Sequence, residues 1–426
     1  MEHLKRLLFG REKPIAVGIA GAGEFGVETA VQLGFMRNLK LAAVADLSIE
    51  RAVDCLKKCG YAAHDIVLAQ SAKQANAALE SGRPTAMEDG MLLPELLLDA
   101  VMDSTGAPAF GAELSYRCLR EGKHVIAVNI ESDVGVGSIL SHLARKQGLV
   151  YTQADGDQPS LIKGLFDWAE LLGLTTVVAG KWTHIYTDYV YRGGRSLTGY
   201  LDGSKNQIEM CSVANAVGFV PDVRGMHKPN AVLQEIPRVF DLKENGGILS
   251  RTGVVDVINC VGPKGLIDGH LGGGVFIIVS GRHEPYLHLL KDKGFITNDR
   301  GDHALIYRPF HFVGIEAPVS IAKAVLRGEA TCEQAIPPTC DVVAVAKRAI
   351  KKGETLHGIG GAELRGEIER KAVAASRRLL PLALAEDVIS LGDIPADTDL
   401  TYDMVRPGTA FIWKLRAMQD ELFRDR

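Results

Sequence analysis

Gly21-Ala22-Gly23-Glu24-Phe25-Gly26 is a G-x-G-x-x-G run placed directly after the apolar stretch Ile15–Ala20. Glycines at that spacing suit phosphate binding for three separate reasons. Gly21 permits a tight turn, Gly23 lets backbone approach a pyrophosphate, and Gly26 lets helix and strand pack closely. The helix that follows begins with Glu24 and Phe25, and its free N–H groups would face the phosphates. Asp46 closes the next apolar stretch, twenty residues after Gly26. A carboxylate there accepts hydrogen bonds from both ribose hydroxyls and repels a 2′-phosphate, which predicts NAD in preference to NADP. Arg51 is the only arginine nearby, so no basic pocket for a 2′-phosphate is evident. Ser104-Thr105-Gly106 is read as lining the nicotinamide side of the cleft, and the Ala107-Pro108 helix entry is an equally compatible reading of the same turn. Asn129, at the end of a later strand, is placed with the cofactor.

Hydride exchange between a nicotinamide and an alcohol needs a group to move the hydroxyl proton and a positive charge for the oxyanion. A lysine serves both if burial lowers its pKa. Lys181, after an apolar strand and Gly180, and Lys205, within Asp202-Gly203-Ser204-Lys205, are the candidates. Asp157, Glu131 and Glu209 would orient the lysines, bind substrate hydroxyls, or hold a divalent cation through oxygen. Asp133 and Asp202 read as helix caps. His227 and Asp256 read as loop residues, and His283, His303 and His311 as structural. No His-x-x-x-His pair occurs, and no transition-metal ligand is assigned. Arg192, Arg195, Arg224, His227 and Lys228, together with the two lysines, are basic groups that could receive a carboxylate or phosphate. For the arginines, a solvated loop is the alternative.

These residues need a scaffold, and the first 155 residues alternate strand and helix. Strands are expected at 15–20, 41–46, 101–106, 124–129 and 150–155, with helices after the glycine run and at 48–59, 71–81, 108–121 and 133–147. Alternation implies parallel pairing through right-handed crossovers, in a sheet covered on both faces. Over 156–330 the order is mixed. Helices are expected at 158–172, 204–217, 284–292 and 317–328, strands at 176–181, 274–280 and 304–313, a loop or hairpin at 184–200, and an irregular stretch at 218–250. The expected organisation is α/β: a Rossmann domain at 1–155, an α+β catalytic and dimerisation domain at 156–330, a linker from Gly328 to Asp341, a small β-rich domain at 340–405, and a C-terminal helix within 410–426.

Composition narrows the partners. The chain has 426 residues with 46% hydrophobic and 23% charged residues, which excludes disordered, collagen-like and coiled-coil classes. The formal charge of −4 gives no broad footprint for nucleic acid. No apolar run approaches the about 20 residues of a membrane span. The start, Met1 to Gly10, lacks the apolar core of a secretory signal, and the seven scattered cysteines contain no Cys-x-x-Cys pair. A cytoplasmic protein with free thiols is expected. It would take a small-molecule substrate and assemble as a homodimer or homotetramer.

Taken together, the glycine run, Asp103-Ser104-Thr105-Gly106, His124-Val125-Ile126-Ala127-Val128-Asn129-Ile130-Glu131, Gly156-Asp157-Gln158-Pro159-Ser160, Ala179-Gly180-Lys181 and Asp202-Gly203-Ser204-Lys205 resemble the homoserine-dehydrogenase-like oxidoreductases. The stretches 343–356 and 397–405 resemble the signature of a SAF domain, and so point to the subgroup that carries one at the C-terminus. The resemblance implies that Asp157, Lys181, Lys205 and Glu209 belong to an active site. That subgroup includes the DXR-like reductoisomerases, which convert 1-deoxy-D-xylulose 5-phosphate with NADPH and a divalent cation. Asp46 argues against NADPH. Ile130-Glu131 stands where homoserine dehydrogenase proper continues into a catalytic lysine, which argues against homoserine. Three functions are therefore weighed: an NAD(P)-dependent oxidoreductase acting on a small hydroxylated, anionic metabolite of sugar-acid or sugar-phosphate type; a DXR-like reductoisomerase; and a non-catalytic NAD-binding sensor with its SAF module.

Overall fold

In the computed structural model, residues 1–184, 202–262, 265–281, 289–334 and 337–424 are described. The chain divides into two compact units: Met1–Asp157 with Phe312–Ile336 and Ala410–Arg426, and Gln158–His311 with Pro337–Thr409. The readings of 185–200, Arg192, Arg195, His283 and the start of helix 284–292 fall outside the described residues.

The first unit opens with helix α1 (Glu2–Phe9). A seven-stranded sheet follows: β1 (Ile15–Ala20), β2 (Leu39–Ala45), β3 (Val67–Leu68), β4 (Thr85–Met87), β5 (Ala100–Asp103), β6 (His124–Ala127) and β7 (Tyr151–Gln153). Their order is β3-β4-β2-β1-β5-β6-β7, and every pairing is parallel. Helices α2 (Glu24–Phe35), α3 (Ile49–Lys58), α4 (Ala72–Glu80), α5 (Pro108–Arg120) and α6 (Ile130–Lys146) connect them. This is the doubly wound, Rossmann-like arrangement that the alternation predicts. Ser48 and Ser71 cap α3 and α4 by accepting from Arg51 and Gln74 backbone N–H groups. The short strands β3 and β4 were not anticipated, since two and three residues carry no periodicity to read.

Helix Val313–Arg327 belongs to this first unit, although the sequence reading grouped it with the second. It packs on α2, and Val313, Ala317 and Ile321 join Val17, Ile19 and Leu41 in one core. An added Cβ on Gly314 would come within 2.3 Å of Glu28 Cβ, so glycine permits this approach. Helix Phe411–Leu422 also serves the first unit. Its Gln419 Oε1 accepts from Ile139 N–H at 3.0 Å, and its Arg416 donates to the Gly135 carbonyl at 3.3 Å, both on α6.

The second unit is built on a mixed sheet. α7 (Gln158–Leu171), β8 (Thr175–Thr183), α8 (Ser204–Val217), β9 (Val220–Pro221) and β10 (Val254–Asn259) come first. A hairpin of β11 (Val261–Gly262) and β12 (Gly265–Leu266) follows, then β13 (Val275–Ser280), β14 (Ile296–Thr297) and β15 (His303–Arg308). The sheet order is β14-β15-β13-β8-β10-β9, with β8 parallel to β10 and antiparallel to β13. Trp182, Ile258 and Phe276 pack against Ile236, Phe240 and Leu249, so much of the stretch read as irregular forms a cover for the sheet. β10 was missed, and the strand expected to reach 313 stops at Arg308.

The C-terminal part of this unit is β-rich. β16 (Cys340–Ala346) pairs with β18 (Leu364–Arg370), while β17 (Thr355–His357), β19 (Glu386–Ser390) and β20 (Val405–Arg406) form a small sheet. β18 packs on α8. Ser204 Oγ accepts from Gly366 N–H at 2.8 Å, and Gln207 Oε1 from Ile368 N–H at 2.9 Å.

Candidate functional site

The glycine loop leaves β1 and enters α2 much as its composition requires. Gly21 has φ +91°, a left-handed conformation that favours glycine. A Cβ on Gly26 would lie 2.0 Å from the Gly21 carbonyl oxygen and 2.8 Å from Ser104 Oγ. Ser104 Oγ donates to the Ala20 and Gly21 carbonyls at 2.9 and 2.8 Å, so the turn after β5 pins the turn after β1.

Beyond the carboxyl ends of these strands lies a cavity of about 320 Å³, whose lining includes Gly21, Gly23, Asp46, Arg51, Ser104 and Thr105. Five of the ten predicted cofactor residues therefore meet. Glu24 and Phe25 are exposed at the start of α2, Gly26 is buried beneath the loop, and Gly106 is exposed. These three positions and Gly26 stand outside the lining, as does Asn129. The Asn129 side chain donates to Asp103 Oδ2 at 2.9 Å and to the Ala107 carbonyl at 2.9 Å, and it caps α6 by accepting from Ser132 N–H. It supports the turn from behind. Burial raises the Asp103 carboxyl above its ordinary value, while hydrogen bonds from Thr105 and Asn129 oppose the shift. Glu88, Gly90 and Phe110 also line the cavity. Glu88 and Gly90 follow the unread strand β4.

Asp46 Oδ2 accepts from Ala22 N–H at 2.7 Å and Oδ1 from Ser48 N–H at 3.0 Å. The half-exposed Arg51 guanidinium stands 3.7 Å from Asp46 and donates to the Ala22 carbonyl at 3.1 Å. The sequence reading set Arg51 aside, yet the structure places it on the cavity. The tight turn, the glycine surface and the Asp46 carboxylate fit a dinucleotide: Gly21, Gly23, Ser104 and Thr105 would take the phosphate and nicotinamide side, and Asp46 and Arg51 the ribose side.

Glu131 and Asp157 are buried in the first unit. Asp133 is not the cap of α6, because Asn129 holds that position. Its buried carboxylate accepts instead from Gln153 Nε2 at 2.6 Å and from Gln334 Nε2.

Lys181, Lys205 and Glu209 belong to the second unit. β8 continues to Thr183, so Lys181 lies within the strand, between Val257 and Val275 in register. Its ammonium is ion-paired with the Glu209 carboxylate of α8, and both side chains are more than nine-tenths buried. Thr183 Oγ1 donates to Asn206 Oδ1 at 2.7 Å, a second link between β8 and the start of α8. Lys205 is half-buried on the first turn of α8. Asp202 is not the cap of α8, because Gly203 holds that position; its carboxylate accepts from Ser204 N–H at 2.9 Å from one residue further out and pairs with Lys347 at 2.8 Å.

Asp256 corrects the loop reading, since it is fully buried in β10. Its carboxylate accepts from His227, Lys228 and Val257 N–H groups at 2.8–2.9 Å. Those bonds hold a turn in which Met226 and Lys228 both have positive φ. His227 Nε2 contacts Asp222 Oδ2 at 2.8 Å. Burial would raise the Asp222 carboxyl, but hydrogen bonds from Ser250 and His227 prevail and hold it low. His227, Asp222 and Asp256 thus shape a turn. The grouping of Arg224 with the basic candidates changes as well: it pairs with Asp399 and Glu367.

Residues 156–317 match the family model described as "Oxidoreductase DRL, catalytic domain". No curated protein matches the chain. Among solved structures, the chain is similar to a variant 3-ketoreductase from Actinomadura kijaniata in complex with TDP-benzene and NADP, at 17% identity, covering 74% of this chain and 91% of that one with TM-score 0.40. It is also similar to a probable dehydrogenase from Thermotoga maritima, at 16% identity, 74% and 90% coverage and TM-score 0.40. A third is a putative myo-inositol dehydrogenase from Sinorhizobium meliloti, at 13% identity, 76% and 92% coverage and TM-score 0.40. Likenesses this distant say nothing about what this chain binds. No helix among the described residues is long and apolar enough to cross a membrane.

Proposed function

We propose that the chain is an NAD(P)-dependent oxidoreductase, preferring NAD, that acts on a small hydroxylated, anionic metabolite. The observation that carries the reading is the cavity shared by the glycine loop, Asp46 and the Ser104–Thr105 turn. The match of 156–317 to an oxidoreductase catalytic-domain model supports it from the other unit. The coenzyme would supply the hydride exchange. The protein's part is to bind, orient and manage charge. Lys181 is the proton-handling and oxyanion-stabilising group, Glu209 orients it through the buried ion pair, and Lys205 binds the anionic end of the substrate. Glu131 and Asp157 are the buried carboxylates of the first unit that we assign to substrate or lysine orientation. The assignments to the homoserine-dehydrogenase-like class, to a SAF domain and to a homo-oligomer rest on the sequence reading alone.

Calorimetric titration with NADH and NADPH tests the proposal. NADH is expected to bind more tightly. Asp46→Ala should weaken NADH by about tenfold, about 1.4 kcal/mol, and narrow the preference, leaving Arg51 as the charge a 2′-phosphate would meet. No heat with either coenzyme would refute the reading. A substrate screen with the preferred coenzyme follows. Turnover of 1-deoxy-D-xylulose 5-phosphate with NADPH and a divalent cation would replace it with the reductoisomerase reading. Tight coenzyme binding without turnover of any hydroxy acid or sugar would favour the sensor.

A further inference from the structure

The carboxyl end of β8 carries a second cluster, which the chemistry proposed above does not use. Thr183 pairs with Asn259 as the last step of the parallel β8–β10 ladder, so the next residues on each strand, His184 and Cys260, are neighbours. Cys260 N–H donates to the Thr183 carbonyl at 2.7 Å. The hairpin β11–β12 then turns the chain back: Ile267 N–H donates to the Cys260 carbonyl at 2.9 Å, and His270 N–H to the Ile267 carbonyl at 3.2 Å. His270 therefore returns to the strand end it left. The two imidazoles sit edge to face with ring centroids 5.4 Å apart. One ligand atom from each of His184, Cys260 and His270 lies within 4.8 Å of the others. Gly272 makes room for them, since a Cβ there would lie 2.6 Å from His184 Nε2 and 3.2 Å from His270 Nδ1.

We propose that His184, Cys260 and His270 form a binding site for a divalent transition metal of the zinc class. Two imidazoles and a thiol are the donor set such ions take, and three protein ligands leave a fourth position for water or a substrate oxygen. Tetrahedral zinc places its donor atoms roughly 3.3–3.6 Å apart, so small side-chain rotations close the observed cluster. Among the described residues, the buried His270 Nδ1 has no hydrogen-bond partner, a cost that a metal would remove. Burial, with the charges of His270 and Lys181 nearby, holds the His184 imidazole toward its neutral, ligating form. Burial pushes the Cys260 thiol up to about 11, so the ion would displace its proton on binding. Hard cations such as Mg²⁺ prefer all-oxygen sites and are not expected here. The site stands whether or not the first unit binds NAD.

Full-length protein, stripped with a chelator and titrated with Co²⁺, Zn²⁺ and Mg²⁺, tests this. One equivalent of Co²⁺ should give thiolate-to-metal charge-transfer absorption and the intense visible bands of a four-coordinate ion, and Zn²⁺ should bleach both. Cys260→Ser should lose the charge-transfer band, and His270→Ala should weaken Zn²⁺ by more than about 100-fold. Zn²⁺ should raise the melting temperature of the wild type and of neither variant. Metal-free melting of each variant checks its fold, and His184→Gln provides a third ligand variant should one not fold. No stoichiometric Co²⁺ spectrum in the folded wild type, a charge-transfer band that survives Cys260→Ser, or a preference for Mg²⁺ would overturn the proposal.

Discussion

Single residues at this protein carry loads that substitution would expose. Gly26→Ala places a Cβ against the Gly21 carbonyl, a backbone atom that cannot rotate away. It should cost about 1–3 kcal/mol in stability and lower NADH affinity at least tenfold, read by thermal melting and calorimetry. Lys181→Ala should abolish turnover with little change in coenzyme affinity. It also strands the Glu209 carboxylate in the interior, at about 3–5 kcal/mol. The double variant Lys181→Met, Glu209→Gln removes both charges, so it should regain most of that stability and none of the turnover. Activity in the double variant would show the pair to be structural only. That Gly21, Gly23 and Asp46 line one cavity was legible because their placement is local: a turn, a helix start and a strand end within one βαβ unit. Asp256 was read as a loop residue because its partners are distant in sequence. Asp256 interrupts the apolar run of β10, and the N–H groups of His227, Lys228 and Val257 explain how a carboxylate can lie buried in a strand.

At the scale of elements, α8 depends on the C-terminal β region. β18 donates backbone N–H groups to Ser204 and Gln207, Lys347 holds Asp202, and Arg224 ties the turn before β10 to Asp399 at 2.8 Å. The strands and helices that meet in this arrangement were readable from their apolar periodicity. Their docking was not, since Ser204 and Gln207 look like ordinary polar residues until β18 lies against them. Hydrogen bonding from Arg224 holds the Asp399 carboxyl low against burial, with help from Arg377. Its folded pKa is depressed, so its stabilisation is present above the unfolded value of about 4 and is lost as pH falls through the folded value. Asp399→Asn should therefore lower the melting temperature at pH 7, and the difference from wild type should shrink to nothing in acid. A difference that persisted unchanged at about pH 3 would show that the ion pair is not its source. Because Lys205 and Glu209 ride on α8, the same substitution should also reduce kcat.

At the scale of the whole molecule, the chain leaves the first unit after Asp157, returns for Phe312–Ile336, leaves again, and returns at Ala410. The amphipathic pattern of 313–327 announces a helix but cannot say which sheet it covers, and that reading was lost at this scale alone. Removing residues 410–426 uncovers the Ile139 N–H and the Gly135 carbonyl on α6. The truncated chain should melt several degrees lower and expose α6 amides to hydrogen exchange, while amides of β8 and β13 exchange as before. Equal loss of protection in β8 would show that the units do not behave as separate cores.

Such threading also bears on how the protein is made. A ribosome emits the seven strands and α2–α6 first, yet the helix Val313–Arg327, which completes their core, follows only after most of the intervening lobe. Until then the nascent sheet carries apolar surface that this helix will later cover, which makes it a natural client for chaperones.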